Sequence, residues 1–192
     1  MMNSFEEAYY KTNLIEGGYA NDPQDKGGET YRGVSRKFHS NWPGWKIIDN
    51  QKGNKSFPAC LDEIAELQDL IKTFYYKEFW LKIGGDFIPD QALAEEIYDN
   101  AVNMGIVQSI KYLQRSLNIL NNNGSLYPDI TVDGIPGAGT NAALKDCIEK
   151  RGAQMLLNVV NGYQIKHYLE LMEKDSGNEK YIGWFKRVKV NW

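Results

Sequence analysis

The chain has 192 residues, of which 42% are apolar and 24% are charged, and its formal net charge is −3. This is the composition of an ordinary globular protein, which excludes intrinsic disorder and collagen-like repeats. At this length about 70% of the unfolded surface can be buried, so a core can form without disulfides. The first 92 residues carry 11 basic and 14 acidic side chains. Because phosphate contacts need clustered Lys and Arg, nucleic acid is not expected as a partner.

Helical spacing of apolar residues alternates with polar loops in the first part of the chain. The glycines Gly17 and Gly18 are expected to end the first helix. The expected elements are a helix over Phe5–Ile15, a loop over Gly17–Gly33, a short helix over Val34–Phe38, a loop over Asn41–Pro58 and a helix over Leu61–Phe79.

The remainder of the chain also reads as helical. Asp90 is expected to be the N-cap of a helix that runs through Asn103. The expected elements after it are a helix over Ile106–Leu120, a turn-rich segment over Ser125–Gly139 and one long helix from Thr140 to about Met172. A domain boundary near Gly84–Asp90 would divide this mostly α chain.

The few cysteines and histidines argue against a metal enzyme. Cys60 and Cys147 are far apart in the sequence and form no CxxC motif, and the spacing of a zinc hydrolase is absent. We therefore expect reduced thiols, no metal and no cofactor. A nucleophilic pair of Cys60 and His167 has no local support, and a buried structural cysteine is the better interpretation.

Glu16 has the sequence context of a general acid. It stands where the first helix is expected to end, and the negative end of the helix dipole disfavours an ionised carboxylate. The neighbours Ile15 and Tyr19 would add desolvation, so both effects would raise the pKa of Glu16. Gly17 and Gly18 leave room beside it for a bulky substrate. A solvent-facing Glu before an ordinary glycine cap is the alternative.

The loop after Glu16 supplies further carboxylates. Asp22, Asp25 and Glu29 occur within nine residues, together with the hydroxyl of Thr30. Glycoside cleavage uses two carboxyl groups that flank the scissile bond, and their separation sets the stereochemistry. Each aspartate taken alone is more simply explained as a turn former.

The run EGGY-ANDPQDKGGETYRGVS resembles the signature of glycoside hydrolase family 108, whose members are phage and bacterial N-acetylmuramidases. The resemblance implies a lysozyme-like helical domain over residues 1–90 with Glu16 as the catalytic acid. It also implies that Thr30 and the loop Asp22–Gly28 line the cleft. Position 29 is Glu here, where a small residue is expected, which leaves open whether Glu29 takes part in the chemistry.

The resemblance extends over nearly the whole chain. The segment Lys77–Trp80 is similar to the aromatic end of a helix in the family's catalytic domain, and YDNAVNMG at 98–105 is similar to the segment that opens its C-terminal part. The segment ITVDGIPG at 130–137, followed by Thr140, is similar to the family's predicted peptidoglycan-binding domain, which implies such a helical domain over residues 91–192. The same segment matches half of an EF-hand loop, but its twelfth position is Thr140 rather than Glu. A turn into a helix capped by Thr140 is the simpler interpretation.

Several aromatic and polar residues are candidates for binding glycan. Aromatic faces pack on sugar rings and an indole N–H can donate to a hydroxyl, so one of Trp42 and Trp45 is expected in a groove and the other in the core. Asp99 and Asn103 lie one helical turn apart and either face the cleft or tie helices together. The complete candidate substrate-binding set is Tyr19, Thr30, Tyr31, Gly17, Gly18, Trp42, Trp45, Asp99 and Asn103.

These observations predict a peptidoglycan hydrolase that cleaves the β-1,4 bond between N-acetylmuramic acid and N-acetylglucosamine. Glu16 would be the acid, and Asp22, Asp25 and Glu29 are candidates for the second carboxylate; the stereochemical outcome is left open. A non-catalytic wall-binding or secretion-assisting protein on the same fold is the alternative, and an enzyme for a related polymer such as chitin is a third.

The expected partners are peptidoglycan glycan strands, with no nucleic acid and no integral membrane association, and the protein is expected to be a monomer. Residues 1–7 lack the basic and then apolar pattern of a signal peptide. We therefore expect a cytoplasmic pool that reaches the wall by holin-type release or by non-classical export.

Overall fold

The computed structural model describes residues 4–13, 18–22 and 28–188. The chain divides into two compact units: residues from Tyr9 to Glu78, and residues up to Ala8 together with those from Phe79 onward. Helices predominate and the strands form one small three-stranded sheet, so the expected mostly α, lysozyme-like fold is confirmed. Among the described residues, no helix combines the length and apolar character that crossing a membrane requires.

The first unit places a small sheet beside two helices. The sheet is antiparallel with strand order β1-β2-β3. Its elements are β1 Tyr19–Ala20, β2 Thr30–Tyr31, β3 Val34–Ser35, α2 Gly44–Gln51, a 3-10 helix Ala59–Glu63 and α3 Ala65–Tyr75; α1 Phe5–Asn13 leads into this unit. The buried side chains of the unit include Tyr31, Val34, Trp45, Ile48, Leu61, Leu67, Ile71 and Tyr75.

Two predictions for this unit are wrong. The segment expected as a short helix over Val34–Phe38 begins instead with strand β3, because Val34 pairs with Tyr31 across a two-residue turn. The segment expected as a loop over Asn41–Pro58 contains helix α2. Its buried residues Trp45 and Ile48 lie one helical turn apart and face the core.

The described residues of the second unit form helices and turns, without a strand. Helix α3 continues into a π-helical turn Tyr76–Trp80, which is followed by a 3-10 helix Gly85–Phe87. The main helices are α4 Gln91–Met104, α5 Ile106–Leu120, α6 Ala138–Arg151 and α7 Ala153–Lys174, and a 3-10 helix follows at Ser176–Arg187. Helices α4, α5 and α7 pack against one another, while α6 packs on α5 and α7. The interior of this unit includes Leu93, Ile97, Tyr98, Ile110, Leu113, Leu117, Leu156, Val160 and Tyr168.

The helix boundaries of this unit follow identifiable signals. The Asp90 carboxylate accepts from the Leu93 N–H at 2.9 Å, which confirms the predicted N-cap of α4. The prediction of one long helix from Thr140 is wrong, because Gly152 adopts a φ of +83° and separates α6 from α7. Thr140 is also not the cap of α6, which begins at Ala138 after Gly137. The side chain of Thr140 is instead buried, and its hydroxyl lies 3.2 Å from the Gln114 amide nitrogen.

The thiols and the segment that resembles half of a calcium loop have simple structural roles. Cys60 and Cys147 are both free, and burial raises the pKa of the Cys147 thiol. The Asp133 carboxylate accepts from the Gln114 amide and from the Ile135 N–H, each at 2.8 Å. These contacts make the segment before α6 a hydrogen-bonded turn, as the simpler interpretation predicted, although Thr140 does not cap the helix that follows.

Candidate active site

The candidate acid lies between two described elements. Glu16, Gly17 and Asp25 lie outside the described residues, and so does most of the loop Asp22–Gly28. Asp22 is described and exposed. In the sequence, Glu16 is flanked by helix α1 before it and by the three-stranded sheet after it.

The sheet sets the directions of the residues that follow Glu16. Tyr19 pairs with Tyr31 and Ala20 pairs with Thr30. Directly paired residues share a face of a sheet, so Tyr19 lies on the face of Tyr31. Successive residues of a strand point to opposite faces, so Thr30 lies on the face opposite to Tyr31. Tyr31 is only 1% exposed, which places its ring in the core. Thr30 is half-buried and its hydroxyl donates to the Gly28 carbonyl oxygen at 3.1 Å.

A strained turn holds this sheet in place. Arg32 and Gly33 both have positive φ, 43° and 80°, as a two-residue hairpin turn requires. Positive φ is uncommon for arginine, and three contacts hold it here. The Arg32 N–H donates to the Gly18 carbonyl at 3.2 Å, the Tyr75 hydroxyl donates to the Arg32 carbonyl at 2.9 Å, and the guanidinium pairs with Asp62 at 2.9 Å. Gly18, two residues after Glu16, is thereby tied to the turn.

Glu29 lies in a cluster of four charged side chains. Its carboxylate accepts from Arg36 Nη1 at 2.9 Å, from Lys52 Nζ at 2.8 Å and from the Tyr19 hydroxyl at 3.0 Å. The same two cations also pair with Asp49, at 2.6 Å and 2.7 Å. We call Glu29, Arg36, Asp49 and Lys52 the charged cluster. It joins the sheet to helix α2.

The charged cluster holds its members in their ionised forms. Burial alone would raise the pKa of Glu29, but the hydrogen bonds from Lys52 and Arg36 outweigh it and lower that pKa. Hydrogen bonds from Arg36 and Lys52 likewise lower the pKa of Asp49. The pKa of Tyr19 is raised by burial and by the adjacent Glu29. Glu29 is therefore ionised near neutral pH and cannot donate a proton there.

The two tryptophans of the Trp42-Pro43-Gly44-Trp45 segment occupy different environments. Trp45 is 2% exposed and its indole N–H donates to the His39 carbonyl at 2.8 Å, which places it in the core. Trp42 packs edge-on against Trp45 and lies over Gly44, where an added Cβ would come within 2.1 Å of the Trp42 ring. Trp42 also lines a cavity of about 420 Å³ on the surface of the first unit.

Asp99 ties helices together in the second unit, whereas Asn103 bonds within its own helix. The Asn103 amide donates to the Asp99 backbone carbonyl at 2.7 Å, one turn back along α4. The Asp99 carboxylate pairs with Arg187 at 3.2 Å and accepts from the Gln164 amide at 3.3 Å. Asp99 thus connects α4 to α7 and to the 3-10 helix at Ser176–Arg187. Asn103 is exposed.

Sequence reasoning missed the charged cluster and the rings around Trp42. Arg36, Asp49 and Lys52 stand at no motif spacing, and only the fold brings them to Glu29. Phe74 carried a usable signal, because it lies beside the apolar stripe of α3 that Ile71 and Tyr75 define. Within the described residues, no three or more His, Cys, Asp or Glu side chains are grouped to hold a metal ion.

Comparisons with known proteins identify the family of the chain and the kind of domain at its C-terminal end. The family model described as Glycosyl hydrolase 108 matches residues 10–105, and that described as Predicted Peptidoglycan domain matches residues 108–189. The solved structure of Brucella abortus SagA is similar over 96% of this chain and 88% of that chain, with 25% identity and a TM-score of 0.61. No curated protein sequence matches the chain. The chain belongs to the glycosyl hydrolase 108 family and carries a C-terminal peptidoglycan domain, which gives it a function related to peptidoglycan.

Proposed function

We propose that this protein is an N-acetylmuramidase that cleaves the β-1,4 bond between N-acetylmuramic acid and N-acetylglucosamine. The observation that carries the proposal is the family match over residues 10–105, which contain the EGGY motif and Thr30. The peptidoglycan domain that follows it supports the same polymer as substrate. The two domains are proposed to cover residues 1–90 and 91–192.

Glu16 is proposed as the general acid. A proton on its carboxyl group would pass to the glycosidic oxygen as the bond to the sugar breaks. Helix α1 precedes it and the Gly18 carbonyl after it is held by the Arg32 N–H, so the backbone on both sides is anchored.

The second group is proposed to be Asp22 or Asp25. The oxocarbenium-like charge that develops on the sugar needs a nearby negative or polar group. Glu29 is the least suited of the three candidates, because its carboxylate is already bound by Arg36 and Lys52. In this proposal Glu29 holds the Tyr19 hydroxyl, and Thr30, on the other face of the sheet, contacts the glycan.

The test compares Glu16→Gln with the wild-type protein on purified peptidoglycan. The substitution removes the donated proton and keeps the size of the side chain, so the fold should persist while release of reducing ends stops. Glu63→Gln, an exposed change in the same unit, is the matched control and should keep full activity. A Glu16→Gln protein that releases reducing ends at the wild-type rate would refute the proposal.

A second candidate function is binding to the wall without catalysis, including a secretion-assisting role. The match to a peptidoglycan domain over residues 108–189 favours it, since binding alone would satisfy that match. This candidate predicts that the wild-type protein sediments with sacculi but releases no new reducing ends.

Mass analysis of products from peptidoglycan and from chitin separates a muramidase from an enzyme for the related polymer. Release from the cytoplasm by a holin, or non-classical export, is proposed as the route to the wall.

A further inference from the structure

A cavity lies in the first unit, and neither Asp22 nor Glu29, the described candidates for the second catalytic group, lines it. It is formed by the segment after β3 and by one face of α3, has a volume of about 420 Å³, and is lined in part by Phe38, Trp42 and Phe74. Small-molecule sites in proteins have volumes of about 300–1,000 Å³, and the volume of this cavity falls within that range. The cavity is therefore large enough for one sugar unit.

The walls of the cavity offer aromatic surface that the core does not use. Phe38 is 70% exposed, although it is one of the largest apolar side chains in the unit. Phe74 packs edge-on against His39, with ring centroids 4.7 Å apart. It also packs edge-on against Trp42, with ring centroids 6.5 Å apart. This edge-on packing fixes the rings of Trp42 and Phe74, while Phe38 stays exposed with the Lys37 ammonium 5.8 Å from its ring centroid. Fixed aromatic faces suit the apolar faces of sugar rings.

The indole N–H of Trp42 is the second observation. Trp42 is 9% exposed, and its nitrogen is buried without a hydrogen-bond partner. In contrast, the Trp45 N–H donates to the His39 carbonyl at 2.8 Å and the Trp80 N–H donates to Asp86 at 2.7 Å. A buried donor without an acceptor is costly and rare in native proteins. Trp42 lines the cavity, and an acceptor on a ligand that reached this nitrogen would satisfy it.

The charges around the cavity favour a neutral ligand. Lys77 and Glu78 both line it and carry opposite charges, so neither an anion nor a cation is selected. Ser40 and Asn41 are exposed in the same wall and supply hydroxyl and amide groups. Polar groups beside aromatic faces suit a sugar better than a lipid chain, which would leave those polar groups unpaired.

The surface extends beyond one sugar unit. Residues Ser40–Pro43 also line a neighbouring depression of about 490 Å³, which continues over Trp45 towards Asp49. Two adjoining depressions that share one wall suit consecutive units of a polymer better than an isolated small molecule.

We propose that this cavity binds an N-acetylhexosamine unit of a glycan strand, with the sugar face on Phe38 and the acetamido carbonyl accepting from the Trp42 N–H. The choice of an N-acetylated glycan rests on the proposed function, whereas binding itself does not require catalysis. The cavity would hold the strand while bonds are cleaved elsewhere along it.

The experiment follows the indole N–H signals by NMR in the full chain carrying Glu16→Gln, so that no turnover occurs. The probe is the β-1,4-linked trimer of N-acetylglucosamine. The Trp42 signal, assigned with Trp42→Phe, should move to saturation, while the Trp45 signal stays in place because its N–H already has an acceptor. The corresponding glucose trimer lacks the acetamido group and should bind at least about tenfold more weakly.

Two alanine substitutions at equally exposed phenylalanines test the location. Phe38→Ala should weaken binding of the trimer about tenfold, which corresponds to about 1.4 kcal/mol. Phe87→Ala, at the other 70% exposed phenylalanine, should leave binding unchanged. No shift of the Trp42 signal up to millimolar trimer, or equal binding by Phe38→Ala and wild type, would overturn the proposal. These results do not depend on release of reducing ends, so failure of the muramidase proposal is seen separately.

Discussion

Replacing Glu29 with Gln distinguishes a structural carboxylate from a chemical one. The Glu29 side chain is 13% exposed and accepts from Arg36, Lys52 and Tyr19. Gln keeps the hydrogen bond from Tyr19 but removes the negative charge between the two cations. If Glu29 holds the sheet on α2, the protein should lose stability and keep the peptidoglycan-cleaving activity that is proposed for it.

The magnitude follows from the exposure of the partners. Hydrogen bonds to charged groups contribute about 1.5–3 kcal/mol when buried, whereas exposed ion pairs contribute about 0–1 kcal/mol. Arg36 and Lys52 are 34% and 39% exposed, and both keep Asp49 as a partner after the substitution. We therefore expect Glu29→Gln to lower the free energy of unfolding by about 1–2 kcal/mol.

The effect should depend on pH in a defined direction. Because the pKa of Glu29 is lowered in the folded protein, its contribution is fully present above the unfolded pKa of about 4.3. The contribution is lost as the pH falls through the lowered folded pKa. The difference in stability between wild type and Glu29→Gln should thus be constant at pH 6–7 and shrink below about pH 4.

Urea denaturation followed by tryptophan fluorescence measures the change, and Glu63→Gln is again the matched control. An unchanged slope of free energy against urea would show that the unfolded state is unaffected. A double-mutant cycle with Arg36→Met should give a coupling of about 1 kcal/mol. The reasoning is refuted if Glu29→Gln is as stable as wild type but loses about a hundredfold or more of its peptidoglycan-cleaving activity, since that outcome is expected of a reacting group.

Two further predictions concern the second unit. Gly134→Ala should lower the free energy of unfolding by about 2 kcal/mol or more, because its φ is +82° and a Cβ there would lie 2.7 Å from a Val107 methyl group. Gly152→Ala has a similar φ of +83° but open space around it, so it should cost only about 1 kcal/mol. Equal unfolding midpoints for the two variants would contradict this. Arg187→Ala should cost about 2–3 kcal/mol by leaving the Asp99 carboxylate, 13% exposed, without its cation. The double variant Arg187→Ala with Asp99→Asn should lose less free energy of unfolding than the sum of the losses of the two single variants. Strict additivity of these losses in urea denaturation would show that the pair is not coupled.

The parts of the fold that could be predicted are those set by local signals. Helix α5 has the predicted bounds Ile106–Leu120, because its apolar residues repeat at helical spacing between two glycine-containing breaks. Helix α2 was missed because Trp42-Pro43-Gly44 resembles a turn. Proline and glycine stand at the start of that helix, where proline is tolerated and where Gly44 leaves space for the Trp42 ring.

The break between α6 and α7 and the charged cluster depend on packing between elements, which local sequence patterns indicate only in part or not at all. The break between α6 and α7 had a signal, since Lys150 and Arg151 before Gly152 are typical of a helix end, but the apolar stripe on either side suggested continuity. The charged cluster had none, because ion pairs between Glu29 and residues of α2 arise only when the sheet packs on that helix. The candidate acid and loop carboxylates were found from spacing and resemblance.

The charged cluster also bears on how the proposed acid could remain protonated. A lone carboxylate at Glu29 would raise the pKa of any acid nearby, and Glu29 is bound to Tyr19, three residues from Glu16. However, Glu29 and Asp49 are matched by Arg36 and Lys52, so the cluster carries no net charge. Its influence on a neighbouring carboxyl group is correspondingly small. The raised pKa proposed for Glu16 must then come from its place after helix α1 and from desolvation by Ile15 and Tyr19, the two causes that its sequence context predicts.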